Sequence, residues 1–185
     1  MALDGVGAIY IAAPGNFRIR RETPDGIIST YAAAGPSAAA VAEGSPAPLT
    51  AMTPNCLAFD AQGNLLYCDI RSNRLRRIDK SSLAVTTVAG DGQAFPGFNA
   101  PPSPAVSTGF NGYARSIAVD GGGNIYFTDL DELKKVDTAG MLSVVESPTA
   151  GTSSAIAVAP DGSLVVGGNG PILQRVQPNG TVLTL

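Results

Sequence analysis

Histidine and tryptophan are absent from this chain of 185 residues, and cysteine occurs only twice. Without histidine, the chain lacks the commonest general base of enzymes and the commonest zinc ligand. Two cysteines are too few for a disulfide framework. The serines are not set in a G-x-S-x-G elbow, so the sequence gives no support to nucleophilic catalysis by serine.

Charged residues and long apolar runs are also scarce. Charged residues make up 15% of the chain and the net charge is −3, which predicts no bulk attraction to nucleic acid or to an anionic membrane. No apolar run is long enough to span a membrane, and the first residues do not form a secretion signal. Because the sequence begins inside a repeat, one interpretation is a segment of a longer protein that is secreted or lies on the cell surface. The compartment stays open.

Turn-forming residues are abundant. The chain has 22 glycines and 14 prolines, which cluster between short apolar runs, while hydrophobic residues make up 44%. No stretch shows a sustained helical period with caps. This pattern predicts an all-β fold of many short strands joined by turns.

One phrase of sequence recurs four times. Residues 116–129 read S-I-A-V-D-G-G-G-N-I-Y-F-T-D, and residues 56–69 read C-L-A-F-D-A-Q-G-N-L-L-Y-C-D. Fainter copies lie at 1–13 and 155–168. Successive copies are 56, 60 and 39 residues apart when they are aligned on the glycine of the first turn, which is Gly7, Gly63, Gly123 and Gly162. Such spacing is typical of a repeat architecture, with insertions in the longer intervals.

Each copy, with the residues that follow it, divides into four strands. Four antiparallel strands per repeat form a propeller blade, and strands that are apolar on both faces suit blades that pack face to face. We therefore predict an all-β, four-bladed β-propeller unit in one domain, 1–185. The predicted blades are 1–34, 55–90, 114–147 and 153–185. The inserts 35–54 and 91–113 are expected to project as loops from one side.

The motif D-x-x-G-N-h-Y-h-x-D, followed by N-x-R-h-R-R-h-D and h-T-T-V-A-G, resembles the NHL repeat, where h is an apolar residue. The best copy is 60–90, and the loop 89–111 is similar to the Gly/Pro/Ala-rich inserts of bacterial members. The resemblance covers essentially the whole chain but weakens in blades 1 and 4. The departures are Ala13, Ala159 and Gly168 in place of aspartates, and Gln174 in place of a basic residue.

Charged residues recur at fixed places in the blades, where they are candidates for a site or for a structural role. Nine of the twelve lysines and arginines lie on third strands. The strongest candidates are Asp60, Asp69, Asp120, Asp129, Arg76, Arg77, Lys134 and Lys135. Asp60 and Asp120 end a strand at a glycine turn, where an aspartate bonds nearby backbone N–H groups. We expect the basic residues to neutralise the charge of the recurring aspartates. This structural role is favoured over nucleic-acid binding by the basic residues and over Ca²⁺ binding by the aspartates.

The two cysteines occupy related positions. If the first turn of blade 2 pairs Asp60 with Asn64, then Cys56 lies directly opposite Cys68 on the neighbouring strand. A disulfide between them is sterically possible, but we favour two buried thiols because the other blades carry small residues here.

The favoured function is a non-enzymatic scaffold or binding module, with no cofactor. The resemblance to NHL propellers implies a ring of six blades most often. Four blades that do not close a ring would leave two apolar end faces. We expect a head-to-tail homodimer that closes an eight-bladed ring; a tight four-bladed ring or part of a larger propeller are the alternatives. A protein or small ligand could bind the loop face, and no membrane partner is expected. Two other hypotheses are a metal-dependent hydrolase or lyase, similar to lactonase or amidating-lyase propellers, and a single-stranded nucleic-acid binder.

Overall fold

The structure, a computed structural model, describes residues 1–33, 35, 42–93, 102–109, 114–130, 132–146, 153–168 and 171–185. The described strands form four antiparallel sheets, and each sheet takes its four main strands from one sequence repeat. Helical structure in these residues is limited to short 3-10 turns at Pro14–Asn16, Ala47–Leu49 and Ala105–Ser107. Within the same residues, no helix is long and apolar enough to cross a lipid bilayer. The all-β prediction is confirmed.

The strands follow the repeat boundaries closely. Blade 1 consists of β1 (Ala2–Leu3), β2 (Ile9–Ala13), β3 (Arg18–Glu22) and β4 (Ile28–Ala32). Blade 2 consists of β6 (Pro54–Phe59), β7 (Leu65–Asp69), β8 (Arg74–Ile78) and β9 (Ala84–Ala89). Blade 3 consists of β11 (Ile117–Val119), β12 (Ile125–Asp129), β13 (Glu132–Val136) and β14 (Met141–Glu146). Blade 4 consists of β15 (Ser153–Val158), β16 (Leu164–Gly168), β17 (Leu173–Val176) and β18 (Val182–Thr184).

The sequence suggested that the two inserts project as loops, but the structure shows that each insert also pairs with a blade. Each contains a short strand, β5 (Ser45–Pro46) or β10 (Ser103–Pro104), that adds a fifth strand to the following blade. β5 pairs with β9, and β10 pairs with β14, so the insert runs along the outer edge of the blade that it precedes. Covering the edge satisfies backbone groups that an edge strand would otherwise expose. The other parts of the inserts, residues 34, 36–41, 94–101 and 110–113, lie outside the described residues.

The recurring glycine closes the first hairpin turn of each blade. Gly7, Gly63, Gly123 and Gly162 all have φ between +78° and +87°, and each donates its N–H to the carbonyl of the residue that directly follows the first strand. A side chain is strained in this left-handed conformation, which explains why glycine recurs here although the flanking residues vary.

The core consists of layers between successive blades. We call the side of a blade that faces the preceding blade its front face, and the opposite side its back face. On the front face of blade 2, Leu65, Ile78 and Val85 are cross-strand neighbours, and they pack in one cluster with Tyr10 and Ile19 of blade 1. A second cluster joins the back of blade 2 to the front of blade 3, and a third joins blades 3 and 4. Two-sided burial explains the predicted apolar character of both strand faces.

Candidate functional site

The predicted turn aspartates have a structural role. Asp60 Oδ1 accepts hydrogen bonds from the backbone N–H groups of Gln62 and Asn64, at 3.0 Å and 2.8 Å. Asp120 Oδ1 accepts the same two bonds from Gly122 and Asn124, each at 2.9 Å. The prediction that these carboxylates bond local backbone N–H groups is confirmed.

Asp120 is bonded more completely than a turn requires. Its Oδ2 accepts bonds from Asn124 Nδ2 at 2.8 Å and from the Tyr126 hydroxyl at 3.1 Å. Partial burial alone would raise the pKa of Asp120, but the hydrogen bonds from Asn124, Tyr126 and Gly122 outweigh it and hold the pKa below its usual value. Burial and the bond to Asp120 raise the pKa of Tyr126 to about 12.

The aspartates that end the second strands are buried. Asp69 Oδ1 accepts the backbone N–H of Thr53 at 3.0 Å, and its Oδ2 accepts the Ser72 hydroxyl at 2.7 Å. Asp129 forms an ion pair with Lys134, and both residues are buried. The Asp69 contacts join the start of blade 2 to the turn after its second strand, and the Asp129 ion pair joins the second and third strands of blade 3. Both aspartates therefore contribute to the fold.

The four basic candidates have different partners. Arg77 pairs with Asp60 at 3.2 Å, and Lys134 pairs with Asp129, as predicted for neutralisation of the recurring aspartates. Lys135 Nζ lies over the Tyr126 ring, 5.9 Å from its centroid. Arg76 is 2% exposed, and Lys134 is also buried, so these two cations are not accessible to the phosphates of a nucleic acid.

Arg76 binds a residue that the sequence analysis missed. Its Nη1 lies 2.6 Å from Glu43 Oε1 and 2.7 Å from Thr87 Oγ1, while the backbone N–H of Thr87 donates to Glu43 Oε2 at 2.8 Å. Burial alone would raise the pKa of Glu43, but the bonds from Thr87 and the charge of Arg76 lower it. Glu43 thus attaches the first insert to blade 2. It is the one acidic residue in a stretch rich in alanine, glycine and proline, and that contrast was the available signal.

A surface pocket of about 540 Å³ lies where both inserts meet blade 2. Its lining includes Glu43, Arg74, Thr87, Asp91, Val106 and Ser107. Arg74 Nη2 donates to the Asp91 carbonyl at 2.6 Å, and Glu43 is bonded to Thr87. Several polar groups of the pocket are therefore bonded to one another.

Cys56 and Cys68 lie opposite each other on β6 and β7, next to the pair Leu57 and Tyr67 and beside a shift in the register of the ladder. Their Cα atoms are 5.2 Å apart and the two sulfur atoms are joined in a disulfide bond. This differs from the expected pair of buried thiols. The Cα separation is within the usual range for a disulfide, so the antiparallel ladder alone brings the two sulfurs within bonding reach.

The described residues contain no group of three or more histidine, cysteine, aspartate or glutamate side chains close enough to hold a metal ion. The turn aspartates belong to separate hairpins and their oxygens accept hydrogen bonds from their own turns. The structure does not bring the aspartate candidates together into one centre.

The front face of blade 1 carries apolar side chains that no blade covers within the described part of the chain. Ile9, Glu22 and Ile28 are cross-strand neighbours on this face. The corresponding residues in the other blades are Leu65, Ile78 and Val85; Ile125, Val136 and Leu142; and Leu164, Val176 and Val182. Ile9 and Ile28 are 37% and 54% exposed, whereas their counterparts in blades 2 and 3 are at most 4% exposed.

The back face of blade 4 is uncovered in the same way. Leu173 is 43% exposed, whereas its counterparts Ile19, Leu75 and Leu133 in blades 1 to 3 are fully buried beneath the next blade. Leu183, which pairs with Arg175 on this face, is also exposed. Extensive contacts join each blade to the next, and among the described residues no contact of that extent joins blade 1 to blade 4.

Comparison with solved structures shows the same architecture in larger proteins. The chain superposes on virginiamycin B lyase from Staphylococcus aureus with a TM-score of 0.64 at 18% identity, covering 99% of this chain and 53% of the lyase. The chain has a β-propeller fold. A chain of the nidogen/laminin complex matches this propeller with a TM-score of 0.64 at 16% identity, over 96% of this chain and 60% of the other.

Regucalcin from Agrobacterium tumefaciens, a calcium-binding protein, matches the propeller with a TM-score of 0.56 at 16% identity, over 89% of this chain and 50% of the other. The propeller therefore spans about half the length of the solved structures that it matches first. No protein-family model matches the sequence, and no curated protein matches it. At these identities the likeness establishes the fold alone.

Proposed function

We propose that this chain is a non-enzymatic, NHL-type assembly module, whose function is to bind protein through the two uncovered blade faces. The observation that carries the proposal is Leu173, which is 43% exposed at a position that is fully buried in each of the other three blades. Ile9 and Ile28 support the same conclusion at the other end of the molecule. A blade is the partner of complementary shape, because each of these positions packs against a blade elsewhere in the chain.

The partner that we propose is a second copy of the chain. Within the chain, the back faces of blades 1, 2 and 3 pack against the front faces of blades 2, 3 and 4. The back face of blade 4 and the front face of blade 1 are the corresponding faces at the two ends. Two copies arranged head to tail would form two identical seams and close an eight-bladed ring. Burial of each large apolar side chain in a seam would contribute about 1.5–3 kcal/mol before the costs of association are subtracted.

The molar mass in solution tests this proposal. Gel filtration with light scattering should give a mass twice the 18.7 kDa of one chain. Leu173→Asp should give folded protein of single-chain mass, because the side chain is already partly exposed and a carboxylate cannot be buried unpaired in the seam. Leu130→Asp is a matched control: Leu130 is also 43% exposed but lies in the turn between β12 and β13, so this variant should stay dimeric.

A single-chain mass for the unmodified protein at micromolar concentration would overturn the homodimer. Equal loss of the dimer in the Leu173 and Leu130 variants would show that the uncovered faces are not the interface. The metal-dependent hydrolase hypothesis stays a prediction. The nucleic-acid hypothesis is weakened, because Arg76 and Lys134 are buried.

A further inference from the structure

Charged side chains lie at the seam between blades 1 and 2. Burial raises the pKa of Tyr31 to about 12, and the hydroxyl is also influenced by Arg21 of its own blade and by Asp79 of blade 2. Arg21 lies on the back face with its guanidinium over the Tyr10 ring, 5.9 Å from the ring centroid, and Tyr10 packs against Phe59 of blade 2. A cation on the back face of blade 1 therefore lies at this seam.

The cation recurs at the same position in every blade. The four residues, each paired with the second residue of the second strand, are Arg21, Arg77, Lys135 and Arg175. In blade 4, Arg175 Nε donates to Ser163 Oγ at 2.7 Å and Nη2 donates to Asp161 Oδ2 at 3.1 Å. These bonds position the guanidinium on the uncovered back face, beside Leu183.

The acid at the other uncovered face is Glu22. It occupies the front-face position that is Ile78, Val136 or Val176 in the other blades, and its cross-strand neighbours are Ile9 and Ile28. Arg20 lies on the same face, two residues from Glu22, and its Nη1 donates to Thr30 Oγ1 at 2.7 Å. Burying the Glu22 carboxylate between Ile9 and Ile28 would be costly without a cationic partner. At this position the other three blades carry apolar residues, so the charge is specific to the uncovered end.

We propose that Glu22 of one copy pairs with Arg175 of a second copy across each seam, and that this pair selects the head-to-tail arrangement. This inference rests on the proposed function. An arrangement in which two blade 1 fronts meet would place Glu22 against Glu22, and two blade 4 backs would place Arg175 against Arg175. Both like-charge contacts are unfavourable, so Glu22 and Arg175 favour the head-to-tail arrangement over these two alternatives.

Charge reversal tests the pair. Glu22→Arg and Arg175→Glu should each raise the dissociation constant of the dimer by about tenfold or more in a dilution series followed by sedimentation velocity. The double variant E22R/R175E carries the reversed pair in both seams and should restore the dissociation constant to within about threefold of the unmodified value. Lys80→Glu, a charge reversal in the exposed turn between β8 and β9, should leave dimerisation unchanged.

The outcomes separate the two proposals. A dimer that tolerates both single reversals would overturn the charge pair and leave the ring intact. Loss of the dimer in both single variants without recovery in the double variant would also overturn the pair, provided that circular dichroism shows folded protein. A monomeric unmodified protein would overturn the ring and the charge pair together.

Discussion

At the scale of single residues, the recurring aspartates of blades 2 and 3 and their basic partners act within the blades. Asp60 and Asp120 organise hairpin turns, and Arg77 and Lys134 compensate buried or half-buried carboxylates. Most of the recurring charged side chains lie beside a backbone N–H group or an opposite charge, because an unpaired charge in a closely packed blade would be costly. Recurrence at fixed blade positions is therefore explained by folding.

Asp120 provides a test of the turn function. Asp120→Asn should lower the free energy of unfolding by about 1–2 kcal/mol at pH 7, because the amide nitrogen cannot accept the bonds from Asn124 Nδ2 and the Tyr126 hydroxyl. The pKa of Asp120 is lowered in the fold, so its ionised form stabilises the protein above the unfolded pKa of about 3.9, and this stabilisation is lost as pH falls through the folded pKa.

The difference between the two proteins should therefore shrink as the pH falls below the unfolded pKa of about 3.9, measured by urea unfolding at one protein concentration. Asp137→Asn is the matched control. Asp137 Oδ1 accepts only backbone bonds in the turn before β14, from Ala139 and Met141, and an asparagine oxygen can accept both. A pH-independent difference for Asp120→Asn would contradict the assigned role of its charge.

Glu43 provides a second residue-scale test. Glu43→Gln should lower the free energy of unfolding by about 1–2 kcal/mol, because it leaves the buried guanidinium of Arg76 without its carboxylate. The estimate is small for a buried cation because the Glu43 side chain is 60% exposed and water screens the pair. Denaturant unfolding measures the change.

A double-mutant cycle isolates the Glu43 ion pair. Arg76→Met removes the buried charge, so adding Glu43→Gln to that variant should cost less than the same change costs alone. Strictly additive effects would show that the two side chains do not stabilise each other.

At the scale of secondary-structure elements, the hairpin is the unit that repeats. The hairpin of the first and second strands recurs in every blade, because short apolar runs and a left-handed glycine between them specify it locally. The strands β5 and β10 were not predicted. Each is two residues long and pairs with a strand about forty residues later, so no local pattern marks it.

The disulfide provides an element-scale test, because it connects β6 to β7. Alkylation of the denatured protein without reductant should leave Cys56 and Cys68 unmodified, and prior reduction should add two alkyl groups, as measured by mass spectrometry. Cys56→Ser should give one alkyl group without reduction. Two alkyl groups on the unreduced protein would show the pair of thiols that the sequence analysis favoured.

At the scale of the whole molecule, the exposed apolar residues are concentrated at the two ends. Among the residues that the structure describes, fourteen large hydrophobic residues are exposed, and ten of them belong to blades 1 and 4. The mass measurement and the charge reversals described above address these faces directly. In the arrangement that we propose, the two end faces join copies of this chain into a larger ring. One copy is about half the length of the solved structures that it matches first.

The repeat spacing and the short apolar runs between turns suffice to predict the four blades, their antiparallel strands and the opposition of Cys56 and Cys68, because these features depend on neighbours within one repeat. The contacts of Glu43 and the exposure of Leu173 could not be predicted in this way. Glu43 in the first insert pairs with Arg76 on the third strand of blade 2. Leu173 occupies the same repeat position as Ile19, Leu75 and Leu133 but is more exposed than they are. Burial depends on which blade lies next in space, and that neighbour is a property of the packed molecule.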